Sequence, residues 1–237
     1  MNRFYCENII GDIIELDGPE AAHLINVMRL KPGEHVELFD GKGTLAQAVI
    51  CNTKKRTAEL NIQSRQTHPA RTTNRVIIAA SIAKGQRFDW MISKCTELGV
   101  DHIAPIICER TVKLAKGSSA IDRYEKLTIS AAKQCKRLYL PTISEPADLH
   151  TAIDNLKNAY PNAKFIFGGL SENSKSITTA ATDSDTIALV GPEGGFTDEE
   201  ESFLSQNSAI GVRLTETILR TETAAIAFTS ILCTTRS

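Results

Sequence analysis

Thr186-Ile187-Ala188-Leu189-Val190-Gly191-Pro192-Glu193-Gly194-Gly195-Phe196-Thr197-Asp198-Glu199-Glu200 is the stretch that decides the fold class. Residues 186–190 form a short run with no apolar/polar alternation, the pattern of a strand buried on both faces. Three glycines and a proline stop that strand. Thr197-x-x-Glu200 is then a capping box that opens a helix. The same alternation extends outward in both directions. Val76 to Ile82 reads as a strand, and Gln86 to Leu98 as a helix with Phe88, Met91, Ile92, Cys95 and Leu98 on one face and Gly99 as its stop. Ile103 to Ile107 and Lys164 to Phe167 are further strands, with helices at about 121–136, 147–158 and 197–207. A last strand near Gly211 to Leu214 leads to a helix from about 221. Strand–helix alternation of this kind predicts an α/β fold with a mostly parallel sheet covered by helices.

The first seventy residues follow another pattern. Ile13–Leu16, Val36–Phe39, Leu45–Ile50 and Ala58–Ile62 are short runs, several of them alternating. Asp40-Gly41-Lys42-Gly43 is a hairpin turn without the Walker spacing of a phosphate loop. One helix interrupts, with Pro19 and Glu20 in its first turn and Ala21, Leu24, Ile25 and Met28 at helical spacing, ending near Lys31. Short strands with one small helix predict a compact β-barrel. Ser64 to Asn74 is polar, contains a proline and reads as the linker. Two domains are expected, 1–70 and 74–237.

Among 237 residues, 27 Lys and Arg face 28 Asp and Glu, a net charge of −1. With 42% hydrophobic and 23% charged residues the composition is that of a folded globular chain and argues against disorder. The strongest apolar stretch, Ile77 to Ala83, is far short of the ~20 residues that span a bilayer. The first eight residues lack the apolar core of a secretory signal, so a cytoplasmic protein with no membrane contact is expected. Six cysteines, at 6, 51, 95, 108, 135 and 233, form no C-x-x-C pair and read as reduced core residues, with no disulfide and no metal. Charge is uneven: residues 84–137 carry eleven cations and six acids, residues 138–237 six cations and thirteen acids. The middle segment could offer a polyanion a basic face, or simply be solvated helix surface.

In open α/β sheets ligands bind beyond the carboxyl ends of the strands. Gly168-Gly169-Leu170, Gly191 to Phe196 and Thr215 to Arg220 occupy such places. The glycine loop first suggests a phosphate cradle, but Asp198 to Glu201 would repel phosphate at that helix terminus. G-x-G-x-x-G is also missing. Exposed backbone groups without local positive charge suit a neutral or cationic nucleoside, and S-adenosyl-L-methionine fits that description. A tight strand-to-helix turn with no ligand is the competing reading.

Here the sequence resembles the ribosomal RNA small-subunit methyltransferase E family, of the SPOUT class of S-adenosylmethionine-dependent RNA methyltransferases. The matching stretches are His23-Leu24-Ile25-Asn26-Val27-Met28-Arg29-Leu30 with Pro32-Gly33-Glu34, Lys94-Cys95-Thr96-Glu97-Leu98-Gly99-Val100, Gln134-Cys135-Lys136-Arg137, Val190 to Phe196 and Ile218-Leu219-Arg220-Thr221-Glu222-Thr223-Ala224-Ala225. The resemblance implies an N-terminal PUA-like barrel that helps hold RNA and a C-terminal domain with a trefoil knot. It also implies a homodimer and methylation of N3 of a uridine in the decoding region of 16S ribosomal RNA. Gly168, Gly191, Pro192, Glu193, Gly194, Gly195, Leu214, Thr215, Ile218 and Leu219 would then line the cofactor pocket. Two departures stand out. The family commonly has Ser-Leu-Gly where this chain has Arg213-Leu214-Thr215, and Gln-x-Gly-Arg-Asn where it has Gln134 to Leu138.

Uracil N3 must lose a proton before it attacks a methyl group, so the chemistry needs a group that stabilises the imide anion. Arg220 is the candidate, against a structural ion pair with Glu222 or Glu216. Glu97 is a second candidate, orienting a catalytic or RNA-binding cation or else serving only its helix end. RNA contacts are assigned to Arg3, Arg29, Lys31, Lys84, Arg87, Lys133, Lys136 and Arg137. His23 and His35 read as structural and Trp90 as core. A non-catalytic RNA-binding or ribosome-assembly protein on the same fold is the alternative function.

Overall fold

The computed structural model describes residues 1–111, 119–169, 174–177 and 184–236; Leu170 of the first candidate loop lies outside them. The chain forms two units: residues 1–70 with 132–140, and residues 71–131 with 141–237.

Strands β1 (Asn2–Tyr5), β2 (Ile13–Leu16), β3 (His35–Phe39), β4 (Thr44–Thr53) and β5 (Ala58–Thr67) make the sheet of the first unit, in the order β1-β3-β4-β5-β2. All pairs are antiparallel except β1 with β3. Alternation sends Ile14, Leu16, Val36, Leu38, Ala46, Ala48, Ile50 and Leu60 into one core with Phe4 and Leu24. β5 reaches Thr67, so residues 64–67, expected in the linker, are strand. They pair with the start of β4 while their side chains stay exposed, which is why their composition is polar. The expected single helix is also different. A short α1 (Gly18–Ala22) runs into one π-helical turn, His23–Val27, which Met28 N–H closes onto His23 O. The widened turn keeps Leu24 buried and leaves Val27 and Met28 exposed.

Residues 132–140 complete this unit. Leu140 N–H donates to Gly41 O, and the Tyr139 hydroxyl donates to His68 O. Lys133 Nζ binds both Glu20 carboxylate oxygens, at 2.7 and 2.9 Å, above the Phe4 ring.

The second unit contains β6 (Val76–Ser81), α2 (Gln86–Leu98), β7 (His102–Ile107), residues 119–131 of α3 (Ser119–Cys135), β8 (Thr142–Ile143), β9 (Ala147–Asp148) and α4 (Leu149–Ala159). It continues with β10 (Lys164–Gly168), β11 (Lys175–Ser176), β12 (Thr186–Val190), α5 (Asp198–Gln206), β13 (Ile210–Arg213) and α6 (Thr221–Thr235). The strand order is β11-β13-β10-β12-β6-β7-β8, with β9 also on β7, and every pairing is parallel. Helices cover both faces. Ile78, Met91, Ile92, Phe228 and Leu232 belong to one core, and Ile77, Leu149, Ile153 and Leu204 to the other.

Gly99, at φ +102°, ends α2 as its N–H turns back to Cys95 O and Thr96 O. Trp90, expected in the core, is 51% exposed. It lies two residues from Phe88, about 200° around the helix and therefore off the apolar stripe. Cys95 and Cys108 are buried, and burial pushes both thiols up to about 12. Cys51 is exposed and departs from the expected core role. At the start of β7, His102 is buried between the Tyr160 hydroxyl, 2.9 Å from Nδ1, and Ser144 Oγ, 2.6 Å from Nε2. Burial lowers its pKa to about 4. Among the described residues no helix is long and apolar enough to cross a membrane.

Candidate cofactor cleft

Beyond the carboxyl ends of β10, β12 and β13 lies a cleft of about 250 Å3. It is lined by Gly168 and Gly169 at the end of β10, by Val190 at the end of β12 and the loop 191–196 that follows, and by Val212 to Thr215 and Thr217 to Leu219 at and beyond the end of β13. Thr221 and Ala224, at the start of α6, close it. Gly168, Gly191, Pro192, Glu193, Gly194, Gly195, Leu214, Thr215, Ile218 and Leu219 all line this one cavity.

Local chemistry explains the loop's path. Gly195 sits at φ +72°, a conformation L side chains avoid, and its N–H donates to Pro192 O at 2.8 Å. A Cβ on Gly191 would meet the Phe196 nitrogen at 3.2 Å, so a glycine lets the loop fold back on itself there. The capping box forms as expected: Thr197 Oγ1 accepts from Glu200 N–H at 3.2 Å, and Glu200 Oε2 accepts from Thr197 N–H at 2.9 Å. Asp198 to Glu201 fill the first turn of α5. Burial, and after it Asp198, raise the pKa of Glu201. The Thr221 hydroxyl donates to Gly191 O at 2.9 Å and joins α6 to the end of β12.

The loop is not free of positive charge, which corrects the sequence reading. Arg110 Nη1 donates to Gly194 O at 2.7 Å and to Phe196 O at 3.3 Å. Arg87 Nη1 donates to Glu193 Oε1 at 3.2 Å, and Arg213 lines the cleft. These cations come from three distant stretches of chain, so no local pattern exposed them. A loop also follows β7, and the rule that marked the other three loops would have marked Arg110 too.

Residues 70–233 match the RNA methyltransferase domain family, and residues 16–63 match the RNA methyltransferase PUA domain. A ribosomal RNA small subunit methyltransferase E of Rickettsia conorii is 30% identical over 233 residues, covering 95% of this chain and 92% of the relative. The chain belongs to the ribosomal RNA small subunit methyltransferase E family. A crystal structure of the Neisseria gonorrhoeae member, bound to S-adenosyl methionine, superposes with a TM-score of 0.89 at 30% identity, covering 100% of this chain and 98% of that one. A Legionella pneumophila protein in complex with the bound cofactor SAM gives a TM-score of 0.85 at 30% identity, covering 97% and 96%.

In this family member the remaining candidate residues are not gathered in the cleft. Arg220 is the exposed N-cap of α6, between lining residues Leu219 and Thr221, and forms no ion pair with Glu216 or Glu222 among the described residues. Glu222 is buried with Oε2 unpaired. Glu97 is held by Lys94 Nζ at 2.7 Å on α2 and is not a lining residue. Of the proposed RNA cations, Arg3 is only 7% exposed at its side chain and is bound to Glu37. Lys133 is bound to Glu20 and Arg87 to Glu193. Arg29, Lys31, Lys84 and Lys136 are exposed, and Arg137 is half-buried. His23 packs edge-on against Phe4, while His35 is exposed. Among the described residues no group of three or more His, Cys, Asp or Glu could hold a metal ion.

Proposed function

We propose that this chain transfers the methyl group of S-adenosylmethionine to N3 of a uridine in the decoding region of 16S ribosomal RNA. In this reading it works as a cytoplasmic homodimer. Residues 1–70 help hold RNA, and residues 74–237, with the family's trefoil knot, carry out the transfer. The observation that carries the proposal is the single cleft at the sheet's carboxyl edge, shared by the glycine loop and the 214–219 segment. Its lining fits the cofactor: apolar walls from Leu214, Ile218 and Leu219 for a nucleoside, and for hydrogen bonds the backbone of the glycine loop together with the polar side chains of Glu193, Thr215 and Thr217. Four acids in the adjoining first turn of α5 disfavour a phosphate, and the nearby Arg87 and Arg110 are already engaged by Glu193 and by the carbonyls of Gly194 and Phe196. Bound there, S-adenosylmethionine supplies a methyl group activated by its positive sulfur.

The chain's own part is orientation and charge. The cleft fixes the nucleoside, so that a flipped-out uracil meets the methyl group in line. Arg220 remains protonated at any working pH, and its exposed guanidinium beside the cleft stabilises the imide anion left when N3 gives its proton to solvent; the methyl–sulfur bond then breaks as the N3–methyl bond forms, leaving S-adenosylhomocysteine. Glu97, which is not a lining residue of the cleft, orients the ammonium of Lys94 on α2. Arg29, Lys31, Lys84, Lys136 and Arg137 supply phosphate contacts. The test is transfer of labelled methyl from S-adenosylmethionine to purified small subunits and to naked 16S RNA. The modified base is then mapped by the block that N3 methylation places on reverse transcription. Label on a uridine of the decoding region is expected; no transfer to either substrate sinks the proposal.

A further inference from the structure

Between Gly194 and Thr197 the glycine loop alternates held and free peptide groups. In the 194–195 peptide, Gly194 O accepts from Arg110 Nη1 at 2.7 Å and Gly195 N–H donates to Pro192 O at 2.8 Å. In the 196–197 peptide, Phe196 O accepts from the same Nη1 at 3.3 Å and Thr197 N–H donates to Glu200 Oε2 at 2.9 Å. The peptides on either side, 193–194 and 195–196, form no hydrogen bond among the described residues. One arginine therefore helps hold two peptide planes and restricts rotation of the two free ones.

Arg110 is itself braced. Cys108 N–H donates to Thr111 Oγ1 at 2.8 Å, and that hydroxyl lies 2.8 Å from Ser81 Oγ at the end of β6. Glu109 N–H donates to Glu200 Oε1 at 2.9 Å, on the carboxylate that completes the capping box of α5. A Cβ on Gly194 would meet Arg110 Cδ at 3.1 Å, so glycine at 194 leaves room for the arginine stem against the loop.

We infer that Arg110 is a positioning residue of the cofactor cleft: by holding the carbonyls of Gly194 and Phe196, it sets the direction of the two free peptide groups that the adenosyl ligand meets. The inference rests on the reading that the cleft holds S-adenosylmethionine. An arginine suits the task because one planar guanidinium nitrogen carries two N–H groups in fixed directions, whereas an ammonium is a freely rotating point charge.

Calorimetric titration with S-adenosylhomocysteine and steady-state methyl transfer test this. Arg110→Ala is expected to bind S-adenosylhomocysteine roughly tenfold more weakly, the scale of one lost charge-assisted hydrogen bond. KM for S-adenosylmethionine should rise by a similar factor while KM for small subunits stays within about twofold. Arg110→Lys should recover part of the affinity. Gly194→Ala, which keeps Arg110 but crowds its stem, should weaken binding in the same direction and decides the matter if Arg110→Ala does not fold. Unaltered affinity in both alanine variants overturns the inference. So does a loss confined to KM for small subunits, which would make Arg110 an RNA contact. A wild-type chain that binds no S-adenosylhomocysteine would sink the cofactor reading and the positioning role with it. A wild type that binds, with variants that bind equally well, sinks the positioning role alone.

Discussion

The hydroxyl of Thr221 lies 2.9 Å from the carbonyl oxygen of Gly191 and fastens the first turn of α6 to the end of β12, thirty residues earlier in the chain. Both residues line the cleft, so this bond sets the spacing of two of its walls. Thr221→Val keeps the shape and removes the donor. It should cost about 1 kcal/mol of stability, a fall of roughly 2–4 °C in melting temperature, and weaken S-adenosylhomocysteine binding several-fold. Thr221→Ser should retain both properties. Melting curves with and without S-adenosylhomocysteine check this; a valine variant with unchanged affinity would show that the bond holds the helix but not the cleft.

Arg220 is exposed beside the cleft and does not line it. Arg220→Ala should therefore leave S-adenosylhomocysteine affinity unchanged while kcat for methyl transfer falls about 10²–10³-fold, the scale of a lost anion-stabilising donor. Single-turnover transfer to small subunits separates the two effects. Wild-type rates in a folded Arg220→Ala protein would remove this residue from the mechanism.

Arg3 and Lys31 belong to the same unit but should behave differently. Arg3 is buried against Glu37, with Nη1 unpaired, so Arg3→Ala should lower stability through its lost partners. Lys31 is exposed, so Lys31→Ala should leave stability within about 0.5 kcal/mol. It should also reduce by about one unit the slope of log affinity for RNA against log salt. Equal salt slopes for wild type and Lys31→Ala would take this lysine out of the RNA surface.

His102 makes stability depend on pH. Its pKa of about 4 in the folded chain lies below the ordinary value near 6.5, because burial disfavours the charged ring. As pH falls, the unfolded chain binds the proton first. The contribution is fully present above about pH 6.5, is lost between about pH 6.5 and 4, and flattens below that, on the order of 3 kcal/mol in all. Urea midpoints of wild type and His102→Gln at pH 7 and pH 5 should diverge in slope, the wild type falling more steeply. Parallel slopes would mean that the ring takes up its proton over the same pH range in the folded and unfolded chain, so that burial does not lower its pKa.

Much of the second unit was legible in the chain because its signals are local. The run 186–190, the glycine stop at 99 and the Thr197–Glu200 box each act within a few residues, and each forms as read. The ten cleft residues were named from the loops that follow strands and from a family likeness, and all ten share the cavity. The polar end of β5 misled, because backbone pairing with β4 holds residues 64–67 in the sheet whatever their side chains. Trp90 misled too, since an offset of two residues, about 200° around the helix, decides whether a large ring faces the core or solvent.

Sequence alone therefore determined the class of fold, the order of most elements and the segments that could touch a ligand, since short-range backbone preference and hydrophobic period are written residue by residue. Tertiary structure alone decided which charges remain available. Arg3, Arg87 and Lys133 read as free cations but are each bound to an acid 34 to 113 positions away, while Arg110 shows its role only once the sheet lays it along the glycine loop. Coulomb attraction and hydrogen bonding depend on distance in space, and nothing in the order of residues states that distance before the chain has folded.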